Sequence, residues 1–260
     1  MLTVKGVVLN QRMTGEQDRF IDVLTADYGV LEILVKGAGK LNSKTGSATQ
    51  LFAYSEFCLA DKKGRSGRAR MLNSVSPIRI FYELRQSVTA VALASYFSQV
   101  LQFAVLPRAG VPELLRLMLN CLHFLSQKDA DEAAVKAVFE LRTAALLGFM
   151  PDVIMCRACG TYLPEALTFY IEDGYFVCRD CEEPSEIPRP AVKMPAGTLQ
   201  AIRHIVLSDF EKIFSFRISE KCREPLCRFA EEFLQYHIDR RMGALEYYHA
   251  VAPPLSGYTT

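Results

Sequence analysis

Cys156-Arg157-Ala158-Cys159 and Cys178-Arg179-Asp180-Cys181 are two CxxC turns separated by eighteen residues. A CxxC turn aims two thiolates at one centre, and two such turns supply the four sulfur ligands of a closed tetrahedral zinc site. The sequence between them reads as a short ribbon: an apolar run at 167–171, the turn Glu172-Asp173-Gly174, then a second run at 175–177. Four sulfurs leave no open coordination position, so Zn2+ held by Cys156, Cys159, Cys178 and Cys181 is expected to stabilise the fold and not to catalyse. The competing reading, two disulfides or a redox dithiol, needs an oxidising compartment or a redox role. Cys58, Cys121, Cys222 and Cys227 lie on apolar faces and read as inert core residues.

On both sides of the ribbon the apolar residues recur at helical spacing. Phe81, Leu84, Val88, Val91, Ala92, Ser95, Tyr96, Gln99 and Val100 trace one stripe, which Pro107 stops. Pro112 opens a second helix through Leu125, and Asp131 caps a third that Gly148 ends. Beyond the ribbon, a Pro-rich linker at 184–195 precedes a helix at 196–207. A last helix is expected over 224–242 with Gly243 as its stop signal. Either set of helices alone offers a thin core, so the two are expected to pack as one domain.

The first eighty residues have a different period. Alternation at 2–12, 20–25, 30–35 and 51–59, with a further run at 69–75, predicts five short strands. Five strands in about 75 residues suit a small closed barrel, of which the OB-fold is the common case. The expected fold class is therefore α+β multidomain: an N-terminal five-stranded OB-fold β-barrel followed by an all-α domain with an inserted four-cysteine zinc ribbon. The expected borders are 1–78 for the barrel, 79–155 with 182–248 for the helical domain, 156–181 for the ribbon and 249–260 for a tail.

Net charge is +1, yet it is unevenly spread. Residues 1–80 hold twelve Lys/Arg against seven Asp/Glu, while 151–190 hold three against eight. A basic excess confined to the barrel end suggests a module that meets a polyanion. Lys62-Lys63-Gly64-Arg65-Ser66-Gly67-Arg68-Ala69-Arg70 packs five cations into nine residues, where the fourth and fifth strands would be joined. A second Gly-rich cationic segment, carrying Lys36, Lys40 and Lys44, joins the third and fourth strands. In OB-folds the surface between such loops is the usual nucleic-acid groove, and each phosphate contact releases counterions. Lys36, Lys40, Lys44, Lys62, Lys63, Arg65, Arg68 and Arg70 are thus the candidate nucleic-acid contacts. The bland alternative is a pair of solvated loops that only raise solubility.

Enzyme signatures are missing. Neither segment has Walker spacing, and HExxH, GxSxG and the Rossmann fingerprint are absent from the sequence. The four histidines show no paired spacing, and Glu182-Glu183 and Glu231-Glu232 read as solvated charge. The chain begins with strand-like sequence in place of a basic-then-apolar signal segment, and no apolar run reaches membrane length. The expectation is a cytoplasmic, nucleoid-associated protein that is not an enzyme, with reduced thiols and no membrane partner.

Four further stretches stand out: Gly15-Glu16-Gln17-Asp18-Arg19, Val35-Lys36-Gly37-Ala38-Gly39-Lys40, Gln50-Leu51-Phe52-Ala53-Tyr54-Ser55-Glu56, and Phe139-Glu140-Leu141-Arg142 with Leu146-Leu147-Gly148-Phe149-Met150-Pro151 leading into the first CxxC. Together they resemble the RecO family of bacterial recombinational-repair mediators. The resemblance implies binding of single- and double-stranded DNA and annealing of complementary strands. It also implies a RecR-like partner and, indirectly, loading of RecA recombinase onto strands coated by single-strand-binding protein. The family docks the C-terminal tail of single-strand-binding protein on its helical domain, which makes Lys136 and Arg142 candidate partner-binding cations. The alternative function is a protein-interaction adaptor whose helices recruit partners and whose basic loops are incidental.

Overall fold

Alternation in the first eighty residues resolves into five strands, β1 (Leu2–Thr14), β2 (Asp18–Thr25), β3 (Gly29–Val35), β4 (Tyr54–Lys63) and β5 (Arg70–Arg79), which close a barrel in the order β1-β2-β3-β5-β4. The computed structural model describes residues 1–38, 45–63, 69–106, 109–183 and 189–252. All neighbouring strands are antiparallel except β3 and β5, which run parallel through two residue pairs, Ile33 with Arg70 and Leu34 with Met71. This is the expected OB-type barrel.

Alternate side chains fill it. Ile21 and Val23 of β2, Ile33 and Val35 of β3, and Phe57 and Leu59 of β4 meet Val4 and Val8 of β1 in one buried cluster. Each such residue contributes about 1.5–3 kcal/mol when fully buried, as an upper bound. One strand, β1, pairs with both β2 and β4, and its register slips between Val8 and Asn10. At the slip Val8 exchanges backbone hydrogen bonds with Phe52 and Ala53 instead. Such a bulge bends the strand, as a small closed barrel requires. Gly6 permits close approach: a Cβ there would stand 2.5 Å from the Leu24 carbonyl oxygen.

The barrel shares a compact unit, Met1–Ala130 with Met242–Ala252, with three helices. These are α1 (Val88–Ala104), α2 (Pro112–Leu125) and α6 (Gly243–Val251). Helix α1 begins later than the apolar stripe, because Tyr82–Gln86 forms a 3-10 turn and Ser87 then caps α1 by accepting from the Ala90 N–H at 3.1 Å. Pro112 takes the first-turn position in α2 as expected. The Ala244 N–H at the start of α6 donates to Gln99 Oε1 of α1 at 3.0 Å.

The second unit contains Asp131–Arg241, with α3 (Glu132–Leu146), β6 (Ala166–Tyr170), β7 (Tyr175–Cys178), β8 (Ala191–Pro195), α4 (Ala196–Leu207) and α5 (Glu220–Ile238). By contact, α1, α2 and α6 group with the barrel, and α3, α4 and α5 with the ribbon. Asp131 caps α3 as expected, accepting from the Ala134 N–H, and holds Arg223 of α5 through both carboxylate oxygens at 2.6 Å. Phe169 of β6 packs its ring on Phe229 and Phe233 of α5.

Three expectations about elements are corrected. The ribbon has a third strand, β8, in the segment read as linker, and it pairs with β6 to give the order β7-β6-β8. Helix α5 starts at Glu220 and carries Pro225 inside it, because the Arg223 ion pair and Cys222, packed against Gly197, hold the earlier turn. It ends at Asp239, in left-handed conformation at φ 49°, and Gly243 opens α6 instead of closing α5. Asp tolerates this conformation through local hydrogen bonding. Among the described residues no helix is long and apolar enough to cross a membrane.

Candidate metal centre and nucleic-acid interface

The β6–β7 hairpin delivers the second cysteine pair: Cys178 ends β7, and Cys181 follows on a single 3-10 turn, Arg179–Cys181. The first pair is fastened by the Arg157 N–H, which donates to the Phe176 carbonyl of β7 at 3.0 Å. Within its turn, the Gly160 N–H donates to the Cys156 carbonyl, and Gly160 takes φ 75°, open to glycine without strain. The four Sγ atoms lie within 4.8 Å of one another, and Cys159 and Cys178 are 3.7 Å apart. A tetrahedral metal with bonds near 2.3 Å to sulfur sets its ligands about 3.8 Å apart. The sulfur set fits that geometry. Among the described residues it is the only group of three or more Cys, His, Asp or Glu positioned to hold a metal.

The polar surroundings suit thiolates. The Cys178 N–H donates to Cys156 Sγ at 3.3 Å. The Thr161 hydroxyl lies 3.1 Å from Cys159 Sγ and, by hydrogen bonding, lowers that thiol's pKa to about 6. The Cys181 thiol is pushed up to about 12, first by its hydrogen bonding to Cys178. Sulfurs this close cannot all ionise without a cation between them. Cys156 and Cys178 are buried, Cys181 is half-buried and Cys159 is exposed. Of the cysteines read as core, Cys121, Cys222 and Cys227 are buried, whereas Cys58 on β4 is only half-buried.

At the barrel, the strand register locates the candidate cations. Lys62 and Lys63 are the last residues of β4, and Lys63 pairs with Arg70, the first residue of β5. Arg70 also neighbours Ile33 of β3, whose last residue, Val35, is followed by the exposed Lys36. These four positions therefore share one end of the barrel. Lys40, Lys44, Arg65 and Arg68 lie outside the described residues. Both basic segments leave from this end.

Sequence alone does not single out Arg19, although register places it at the same end, opposite Val35 and Met13. The signal is the β1–β2 turn: Asp18 accepts from the Gly37 N–H at 2.9 Å and ties that turn to the start of the second basic segment. Arg12 differs, since it is ion-paired with Glu32 at 2.6 Å and Asp22 at 3.3 Å.

The candidate partner-binding cations need correction. Lys136 is 4% exposed and pairs with Glu140 at 2.7 Å and Glu231 at 2.6 Å. Burial pushes its ammonium down, but the attraction of Glu140 and then Glu231 more than offsets this, and its pKa lies above the ordinary value. Glu231, read as solvated, is thus one of three members of a largely buried ionic cluster. Arg142 donates to the carbonyls of Val206 and Ser208, at 2.9 and 3.3 Å, and its guanidinium lies 4.7 Å from the Phe210 ring centroid. It closes the C-terminal end of α4, where carbonyls lack helical partners. Neither side chain is a free surface cation.

Comparison with known proteins now bears on this arrangement. The sequence model described as Recombination protein O N terminal matches residues 1–81, and Recombination protein O C terminal matches residues 85–246. The chain belongs to the RecO family. Curated relatives named DNA repair protein RecO align along nearly the whole length. One from Acetivibrio thermocellus is 29% identical over 246 residues, covering 95% of each chain. Another, from Alkaliphilus metalliredigens, is 25% identical over 240 residues, covering 92% of this chain and 95% of its own. A third, from Pelotomaculum thermopropionicum, is 29% identical over 239 residues, with 90% and 88% covered. The first RecO model ends at residue 81, two residues beyond β5, and the second spans the cysteine cluster.

Proposed function

We propose that this RecO-family chain is a non-enzymatic DNA-binding mediator of recombinational repair. It binds single- and double-stranded DNA and anneals complementary strands in the cytoplasm. With a RecR-like partner it helps load recombinase onto strands coated by single-strand-binding protein. The observation that carries this reading is the convergence of Lys36, Lys62, Lys63 and Arg70 on one end of an OB-type barrel. Cations on such a rim neutralise backbone phosphates without reading sequence, as a mediator acting on any strand requires. The tail of single-strand-binding protein remains part of the proposal, with its docking place no longer assigned to Lys136 or Arg142.

We assign the metal as Zn2+ in a structural role. Cys156, Cys159, Cys178 and Cys181 would hold it, and when bound it would neutralise their thiolates and cross-link the turn after α3 to the β6–β7 hairpin. Four sulfurs and no further ligand position suit a closed site.

The test is annealing of a labelled complementary pair without ATP, together with strand binding across salt. Replacing Lys36, Lys62, Lys63 and Arg70 by Ala is expected to weaken binding to all sequences alike. The salt slope on single strands should fall by about 0.7 for each phosphate that is no longer neutralised. Unchanged affinity and slope, with partner capture intact, would instead favour the adaptor.

A further inference from the structure

The second unit holds a cleft of about 430 Å³ lined by Gly197, Gln200, Arg203 and His204 of α4 and by Phe216 and Arg217 of the segment that follows. Among the described residues, no carboxylate lines it. Its volume falls in the range that takes a small organic ligand.

Arg203 is the unusual feature. It is 4% exposed, and its guanidinium donates only to carbonyls: Nε to Val153 at 2.6 Å, and one terminal nitrogen to Ile154 and Tyr162 at 2.7 Å each. The other terminal nitrogen is buried without a hydrogen-bond partner among the described residues. No carboxylate is among the groups acting on its charge, and burial lowers its pKa from the ordinary arginine value. The ring of Tyr162 stacks on it at 3.9 Å. A buried arginine with an unused N–H and no counter-ion is incomplete in its own unit.

The rest of the lining suits one nucleotide. Arg217 is exposed and has no ion pair among the described residues, and Gln200 offers an exposed amide. Phe216 is half-buried, with its ring 5.6 Å from that of His204. His204 is positioned by its own bond from Nε2 to the Lys212 carbonyl at 2.7 Å. Guanidinium pairs with phosphate, an aromatic face stacks on a base, and an amide bonds a base edge.

We propose that this cleft is a phosphate site that seats one nucleotide of a polynucleotide strand: the phosphate at Arg217 within the field of Arg203, and the base on Phe216. The inference rests on the DNA-binding reading and gives the second unit a strand contact of its own, separate from the barrel cations.

The test follows the arginine side-chain N–H resonances of the full chain, loaded with zinc, under three additions at constant ionic strength: inorganic phosphate, a short oligothymidylate, and an acidic peptide. Phosphate and the oligonucleotide should both shift Arg203 and Arg217. The exposed double substitution Gln200→Ala with Arg217→Ala should weaken strand binding by about tenfold and lower the salt slope by about 0.7, with an unchanged melting temperature. A response to the peptide but not to phosphate, or to phosphate but not to the strand, overturns the proposal, as does an unaltered slope in the double variant. A wild-type chain that binds no strand at all refutes the DNA-binding reading, which the phosphate titration alone does not touch.

Discussion

At Lys136 a charged side chain sits in the core of the second unit between Glu140, one helical turn along α3, and Glu231 of α5. Removing the ammonium leaves two carboxylates facing each other in a poorly solvated space. Lys136→Ala is expected to cost about 3–5 kcal/mol, measured as a lower urea midpoint. Replacing Lys136, Glu140 and Glu231 together by Met, Leu and Leu should recover most of that stability, because no charge is then stranded. The pH dependence follows from direction alone. The folded pKa lies above the ordinary lysine value of 10.5, so this group's stability is fully present below that pH. It fades as the solution is taken up through the folded value, and the gap between wild type and Lys136→Met should narrow over that alkaline window. Sequence showed a lysine and two glutamates on helices and could not show that they face inward. Helical periodicity identifies a face, and whether it meets water or another helix depends on tertiary packing.

At the scale of elements, the barrel strands were legible because alternation survives in β2, β3 and β4, where one face is buried. Strand β1 was legible only as a strand. Its double pairing and its slip at Val8 depend on partners far along the chain. Gly6 marks that crowding. Gly6→Ala would press a methyl against the Leu24 carbonyl and the Val23 side chain, both 2.5 Å from the ideal Cβ. The expected cost is about 1–3 kcal/mol, read as a lower thermal midpoint of the first unit. Strand β8 was hidden by the prolines before it and by its own terminal Pro195, which is tolerated because β8 is an edge strand paired only with β6. Helix α5 begins at Glu220, ahead of the expected 224, because the Asp131–Arg223 pair anchors the turn before Pro225.

At the scale of the molecule, the cysteine cluster was fully readable, since ligand spacing is local and chemically specific. The basic excess was readable as charge, while the placement of Lys36, Lys62, Lys63 and Arg70 at one barrel end emerged only from the β4–β5 and β3–β5 registers. The cleft at Arg203 left no sequence signal, because its residues come from a helix and the irregular segment after it. The four sulfurs belong to one unit, so a metal held there predicts an uneven response to its removal. Chelation should lower the calorimetric transition of the unit containing Asp131–Arg241 and leave that of the barrel unit near its original temperature. Cys156→Ser should reproduce the shift without a chelator. A single transition that moves as a whole would show that the two units unfold together.

The ring of strands is completed by two parallel rungs, Ile33 with Arg70 and Leu34 with Met71, whereas β1 and β2 share eight. A closure so narrow is where a cylinder would part first, and it borders the cationic rim. Backbone amides of Met71 and Leu34 should therefore trade deuterium sooner than those of Ile21 or Val23. A strand lying across Lys36 and Arg70 would bridge the gap like a clasp, so occupancy by DNA should slow that exchange.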